Sequence, residues 1–367
     1  MGTFARLTLR SAQVRAVLVP LRRPIVSKVG LFDAWPVVLI DLETEEGVVG
    51  RSYLEPYLER AARYLVPAIL DLAETRKGKP VVPLDDFRQG RSSLGLLGLE
   101  GMSLIAVSAL DMAAWDALAK AAGMPLAAFL GGSLGPVPAY NSNGLWLTPP
   151  ELLGEEAAAL AAEGGFTALK LRLGRPRLAD DLAAVAAVRE ALGPEVRLMV
   201  DFNQGLSLGD ALRRCHELDG LGLDWFEEPI PYDDLAGYVR LTRELATPVQ
   251  LGENFYGPRS LHAAVQAGVG DLVMPDLMRI GGVSGWLRAA AIAGAAGLQM
   301  SSHLYPEFSA HLLRVTDTAH WLEWQDWANP ILAEPFRLEQ GHLVIPERPG
   351  AGIEWDEAAV RRYRRDL

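Results

Sequence analysis

A chain of 367 residues, 50% hydrophobic and 22% charged, has the composition of an ordinary globular protein and is long enough for two domains. Its net charge of −11 argues against nucleic acid or an anionic membrane as partner, and no unbroken apolar run reaches the length of a membrane span. The single cysteine, Cys215, excludes an intrachain disulfide; with no signal-peptide pattern at the N-terminus, a reducing cytoplasm is the expected compartment.

From Phe4 to Leu18 apolar and polar residues alternate, and a second alternating pair, 36–42 and 48–54, flanks the turn Glu45-Glu46-Gly47. This spacing predicts an antiparallel meander. Helical periodicity follows at 57–75, 84–90 and 103–122, the last stopped by Gly123 and Pro125. Strands followed by helices predict an α+β domain over residues 1–130, ending near Gly131-Gly132-Ser133.

From Val137 onward strand, loop and helix repeat. Predicted strands lie at 137–142, 167–173, 197–203, 223–228, 249–255, 271–276, 298–304 and 319–324. Helices are expected between them at 178–192, 206–218, 235–245, 259–267 and 283–296. This count predicts a (β/α) barrel over residues 131–337. An open doubly wound sheet is the competing topology, but the glycine-rich phosphate turn it uses after its first strand is absent. Residues 338–367, with a short strand and Pro346, Pro349 and Gly350, are expected to pack back on the first domain.

Six polar residues close successive apolar runs at steps of about 20 to 30 residues, one strand-plus-helix unit each: Asp201, Glu227, Glu253, Asp276, His303 and Glu323. Parallel strands carry such residues to one face. Any one of the acids alone reads as a solvated loop residue or a helix cap. Together, Asp201, Glu227 and Glu253 at three successive strand ends form a hard oxygen set suited to Mg²⁺, because inward anions need a cation. Asn203 and Glu228 lie beside them as supporting or substrate contacts. Asp276 and His303 end the next two strands, and an imidazole oriented by a carboxylate is a general base for neutral pH. Lys170 and Arg172, two apart in a strand, share a face, which the meeting of metal site and substrate carboxylate would make tolerable in a barrel lumen. Arg172 is a poor base: deprotonating a guanidinium near neutral pH costs roughly 7 to 9 kcal/mol.

These segments resemble the enolase superfamily, mandelate racemase subgroup. The resemblance rests on Ala168-Leu169-Lys170-Leu171-Arg172, Met199-Val200-Asp201-Phe202-Asn203-Gln204, Trp225-Phe226-Glu227-Glu228-Pro229, Leu251-Gly252-Glu253-Asn254, Met274-Pro275-Asp276, Ile280-Gly281-Gly282-Val283 and Met300-Ser301-Ser302-His303-Leu304. It implies an α/β protein in which an α+β capping domain precedes a (β/α)₇β TIM-like barrel. It also implies an essential Mg²⁺ and abstraction of a proton α to a carboxylate, giving an enediolate. By position, it makes Asp201, Glu227 and Glu253 metal ligands and Asp276 and His303 the catalytic dyad. Glu323 becomes a protonated acid bonded to the enediolate, and Lys170 and Ser142 become contacts to the substrate carboxylate. The partner is then a small-molecule carboxylate, and the assembly a symmetric homo-oligomer such as an octamer.

Two departures narrow the activity. Where mandelate racemase carries Lys-x-Lys, this chain has Lys170-Leu171-Arg172, so the second base of a racemase is replaced by a guanidinium, and one-base chemistry through His303 is expected. The lid-like stretch 25–35 is largely apolar, whereas in the segment Ser52 to Tyr57, whose Tyr57 is counted among the substrate contacts, Glu55 replaces a phenylalanine. Glu55 either faces the pocket and favours a polyhydroxy substrate or points to solvent. The leading expectation is dehydration of an acid sugar to a 2-keto-3-deoxy acid; the alternative is racemisation or epimerisation of a 2-hydroxy acid. A ligand-binding barrel that has lost catalysis is the third reading, disfavoured because binding alone needs no base so placed.

Overall fold

The computed structural model describes residues 6–366, so the start of the first predicted strand, at Phe4, lies outside the described residues. The alternating segments form the strands β1 (Leu9–Val26), β2 (Leu31–Thr44) and β3 (Val49–Leu54) in an antiparallel meander. β1 and β2 run well past Leu18 and Pro36 into a long hairpin whose tip pairs Ile25 with Phe32 and Val26 with Leu31. The charged run Arg22-Arg23 and two prolines hid this extension from the alternation pattern.

Three cap helices follow: α1 (Ala62–Arg76), α2 (Pro83–Ser93) and α3 (Met102–Ala121). The helix expected from Tyr57 starts later, because Tyr57 takes a left-handed φ of 61°, which an α-helix does not accommodate. α3 is long and apolar enough by composition to cross a membrane, but the charged residues Asp111, Asp116 and Lys120 break its apolar run. Here it is the buried core helix of the cap, and its acids are paired: Asp116 accepts the amides of Arg51 (2.7 Å) and Ala351 (2.6 Å), and Asp111 accepts that of Ser284 (2.8 Å).

A short helix, α4 (Leu126–Phe129), leads into the barrel. Its first half is β4 (Pro136–Asn141), α5 (Pro150–Ala162), β5 (Ala168–Arg172), α6 (Leu178–Leu192), β6 (Arg197–Asp201), α7 (Leu208–Leu218) and β7 (Phe226–Glu227). Then come α8 (Leu235–Glu244), β8 (Val249–Leu251), α9 (Pro258–Ala267), β9 (Leu272–Val273), α10 (Leu277–Ile280), α11 (Gly282–Ala296), β10 (Gln299–Met300), α12 (Pro306–Leu313) and β11 (Leu322–Trp324). Strands β4 to β10 pair in chain order, all parallel. β11 returns to pair with β4, and a bridge from Met300 to Ala319 joins the segment entering β11 to β10, so the sheet closes as a (β/α)₇β barrel. On β5 the residues Ala168, Lys170 and Arg172 share a face, as do Met199 and Asp201 on β6. Tyr140, Ala168, Met199, Trp225 and Leu272 make a buried apolar cluster of their own, so the lumen is plugged below and polar above.

The C-terminal residues divide between the two domains. The hairpin β12 (Arg337–Glu339) and β13 (His342–Val344) adds antiparallel to β4 of the barrel. The rest packs on the cap: Ala351 donates its amide to Asp116 of α3, Trp355 Nε1 donates to Asp41 of β2 (2.8 Å), and beyond α13 (Glu357–Tyr363) the short β14 (Arg364–Arg365) pairs Arg364 with Val17 of β1.

Candidate active site

The carboxyl ends of the barrel strands gather the polar residues. Asp201 and Glu227 are cross-strand neighbours at the ends of β6 and β7. Glu253 lies just past β8, beyond Gly252, while Asp276 and His303 face each other across a parallel bridge past β9 and β10. Glu323 sits within β11, paired with Tyr140 of β4.

Lys170 is almost fully buried, and its ammonium contacts Glu227, Glu323 (2.7 Å) and Asp201 (3.7 Å). Burial alone would lower its pKa, but Glu227 and Glu323 outweigh it, so Lys170 is held as a cation. Glu227, which also accepts from Trp225 Nε1 at 2.9 Å, is pushed up by burial and by Asp201, Glu323 and Glu253 despite Lys170. Glu228, bonded to Asn254 Nδ2 at 2.8 Å, is raised well above the usual range by burial and by Glu253. Asp201 is framed by Asn203, whose amide N–H (2.7 Å) and Nδ2 (2.8 Å) both donate to it from a left-handed turn.

His303 Nδ1 lies 2.7 Å from Asp276 Oδ2, and its Nε2 lies 3.2 Å from Glu253 Oε2 and 3.5 Å from the Tyr57 hydroxyl. Burial would depress the imidazole, but Glu253, the Asp276 hydrogen bond and Glu323 lift it to about 9. Arg172 Nη2 donates to Ser142 Oγ (2.9 Å), Ser142 Oγ donates to Glu323 Oε1 (2.8 Å), and the guanidinium stacks 4.3 Å from the Trp146 ring centroid.

These side chains open on a cavity of about 50 Å³. Its polar floor carries Lys170, Arg172, Asp201, Asn203, Glu253, His303 and Glu323, with Tyr57 beside the histidine. Its roof is Ile25, Ser27, Val29, Phe32 and Trp35 from the hairpin tip and β2, with Trp146, Leu304, Gln325 and Trp327 from the barrel. A larger cavity of about 260 Å³ lies within the cap under α1, α2 and α3, but its walls are mainly apolar, carry no histidine, and its Arg76 is tied to Asp86. The chemistry belongs to the smaller one.

Three sequence expectations change here. Glu55 neither lines the cavity nor reaches solvent: it is 3% exposed, and burial with Glu307 and Asp276 nearby raises it well above the usual range. Ser142 is buried and its hydroxyl is engaged by Arg172 and Glu323 rather than offered to a ligand. Glu323, expected as a protonated acid, is drawn toward the ionised form: burial would raise it, but Lys170, His303 and Arg172 pull it down to about 2. Sequence reasoning also passed over Arg279, which lies 3.8 Å from Glu253 and stacks on Tyr57, and over Trp146 and Trp327. Each trails a strand end by a few positions, where loops on this face begin, and that offset was the available signal.

Residues 9–131 match the family described as mandelate racemase / muconate lactonizing enzyme, N-terminal domain, and residues 152–359 match the one described as enolase C-terminal domain-like. The chain belongs to the mandelate racemase/muconate lactonizing enzyme family of the enolase superfamily. An enolase from alpha proteobacterium BAL199 with bound magnesium superposes with a TM-score of 0.96 at 53% identity, over 98% of this chain and 100% of that one. An enolase from Bradyrhizobium complexed with magnesium and mandelic acid gives a TM-score of 0.95 at 41% identity, over 99% of this chain and 100% of that one. L-talarate/galactarate dehydratase of Salmonella typhimurium is 35% identical over 89% of this chain and 82% of its own length.

As a member of this superfamily the protein is an enzyme, of the lyase or racemase kind, and its cofactor is Mg²⁺. The donor set suits that ion. Six carboxylates, Asp201, Glu227, Glu228, Glu253, Asp276 and Glu323, crowd against three permanent cations, Lys170, Arg172 and Arg279, and burial with mutual repulsion raises Glu227 and Glu228. A divalent cation among oxygen donors relieves that imbalance. Among the described residues no three acidic, histidine or cysteine side chains already converge on one metal-sized centre; the Lys170 ammonium lies between Asp201, Glu227 and Glu323.

Proposed function

We propose that the enzyme removes the α-proton of a 2-hydroxy carboxylate with His303 alone and completes the reaction as a dehydration, the substrate being an acid sugar. The observation that carries this reading is the fate of the two cations on β5. Lys170 is an ammonium gripped by carboxylates, and Arg172 is a guanidinium bonded to Ser142 and stacked on Trp146, so neither offers a lone pair to a substrate carbon. Among the nitrogen groups that the described residues place on the cavity wall, His303, oriented through Nδ1 by Asp276, sheds its proton most readily, at about 9, and so serves as the base.

Asp201, Glu227 and Glu253 are the residues that would hold Mg²⁺, which when bound supplies positive charge beside the substrate carboxylate. The Cα–H bond breaks, its proton passes to His303 Nε2, and its electron pair moves onto the carboxylate as an enediolate. That pair then forms the Cα–Cβ double bond as the Cβ–O bond breaks, and the departing hydroxide takes the proton from His303 as water. The resulting enol tautomerises to a 2-keto-3-deoxy acid. Lys170 adds a fixed positive charge where the enediolate develops.

The relation to L-talarate/galactarate dehydratase supports an acid-sugar substrate. A second reading, racemisation of an aryl 2-hydroxy acid, is favoured by the aromatic roof of Phe32, Trp35, Trp146 and Trp327 and by the mandelic acid held by the Bradyrhizobium structure. A screen of acid sugars and aryl 2-hydroxy acids with Mg²⁺ in D₂O separates the two. Keto acid formation that disappears in His303→Asn supports dehydration; deuterium at Cα of an inverted product, without loss of water, replaces it with racemisation.

A further inference from the structure

The two residues after His303 carry an unusual backbone. Leu304 and Tyr305 have φ angles of 52° and 54°, left-handed values that side chains bearing a Cβ rarely adopt. The turn aims the Leu304 amide at Glu323 Oε2 (3.1 Å), while the Tyr305 carbonyl accepts from Ser309 (2.8 Å) at the start of α12. Backbone bonds therefore tie the turn to the barrel on one side. On the other side the Tyr305 ring is fully buried in the cap: its hydroxyl accepts the Glu55 amide at 2.9 Å, and its ring packs 5.1 Å from that of Tyr53. Tyr53 in turn donates to the buried carboxylate of Glu307.

The end of β3 thus grips residues 305–307 through two hydrogen bonds and a ring pair, and two positions later the same cap segment places the Tyr57 hydroxyl beside His303 Nε2. We propose that Tyr305 is a positioning residue that transmits the seating of the cap to His303, holding the turn so that Nδ1 stays on Asp276 while the Leu304 amide stays on Glu323. The proposal rests on His303 as the base for its functional meaning, but its physical content is independent of substrate. A strained turn persists only where its surroundings over-determine it, and the Tyr305 hydroxyl is the cap's contribution to that constraint.

The test reads the proton shared by His303 and Asp276 without any substrate. In the full-length enzyme with Mg²⁺, the downfield ¹H resonance that disappears in His303→Asn is followed in Tyr305→Phe and Tyr53→Phe, which cut the grip from opposite sides. Thr247→Val, which removes a hydrogen bond to Asp219 (2.7 Å) from the loop leading into β8, is the stability control. The expected result is a broadened or lost resonance in Tyr305→Phe and in Tyr53→Phe, with none in Thr247→Val; kcat then falls with KM little changed. A sharp, unshifted resonance in both tyrosine variants overturns the proposal, and so does equal broadening in Thr247→Val. If His303→Asn keeps full activity, the assignment of the base fails while the resonance still decides the positioning role.

Discussion

Arg172 Nη2 donates a 2.9 Å hydrogen bond to Ser142 Oγ, and the same hydroxyl donates to Glu323. This relay commits the outer cation of β5 to support. On the proposed one-base mechanism, it leaves His303 without a second nitrogen base on the cavity wall.

Arg172→Lys should therefore do two things. Losing a charge-assisted hydrogen bond of about 1.5–3 kcal/mol lowers dehydration about 10–100-fold. The shorter ammonium, able to lose a proton, should introduce deuterium exchange at Cα with inversion. NMR of recovered substrate in D₂O checks it, and slower dehydration with no inverted substrate would show that something besides the guanidinium bars racemisation.

His303→Asn should lower turnover by about 10²–10⁴-fold, the usual contribution of a positioned base. Asp276→Asn should fall in the same direction, because Nδ1 loses the carboxylate that fixes its tautomer at 2.7 Å. Steady-state rates at saturating Mg²⁺ decide this, and an Asp276→Asn enzyme with unchanged kcat would remove the orienting role.

Mg²⁺ should stabilise the fold by binding it preferentially, by about 2.7 kcal/mol at one hundred times its dissociation constant. Calorimetry with and without chelator reads the shift in Tm. Glu227→Gln should abolish most of the Mg²⁺-dependent rise; a rise of full size in that variant would place the ion elsewhere.

Asp111 sets a pH dependence of stability unrelated to catalysis. Buried on α3, it accepts the amide of Ser284 near the start of α11, and burial pushes its carboxyl up to about 7 despite that bond. Its pKa is thus higher folded than in an unfolded chain, where it is about 3.9. The folded state keeps a proton that the unfolded state has released, so this contribution is complete below about pH 4 and is lost as pH rises through about 7, with a ceiling of roughly 4 kcal/mol. Comparing Asp111→Asn with the natural protein by denaturant unfolding should show the natural protein losing ground between those values, and a constant difference across that range would rule the effect out.

Much of the architecture could be read from local pattern, because strand and helix periods and strand-end position are properties of neighbouring residues. The eight barrel strands, the meander of the cap and the convergence of Asp201, Glu227, Glu253, Asp276, His303 and Glu323 all follow from such spacing. What the sequence could not decide were contacts between residues far apart along the chain, whose geometry only packing determines. The cap amide of Glu55 meets the hydroxyl of Tyr305 across 250 positions, and Tyr57 meets His303 across 246. Ser142 is drawn to Glu323 across 181 positions and so kept from the cavity. Glu323 is drawn toward its ionised form because Lys170, His303 and Arg172 surround it, and Glu55 is buried because β3 ends against the barrel turn. Charge state and orientation depend on that surrounding field, and only the folded chain assembles it.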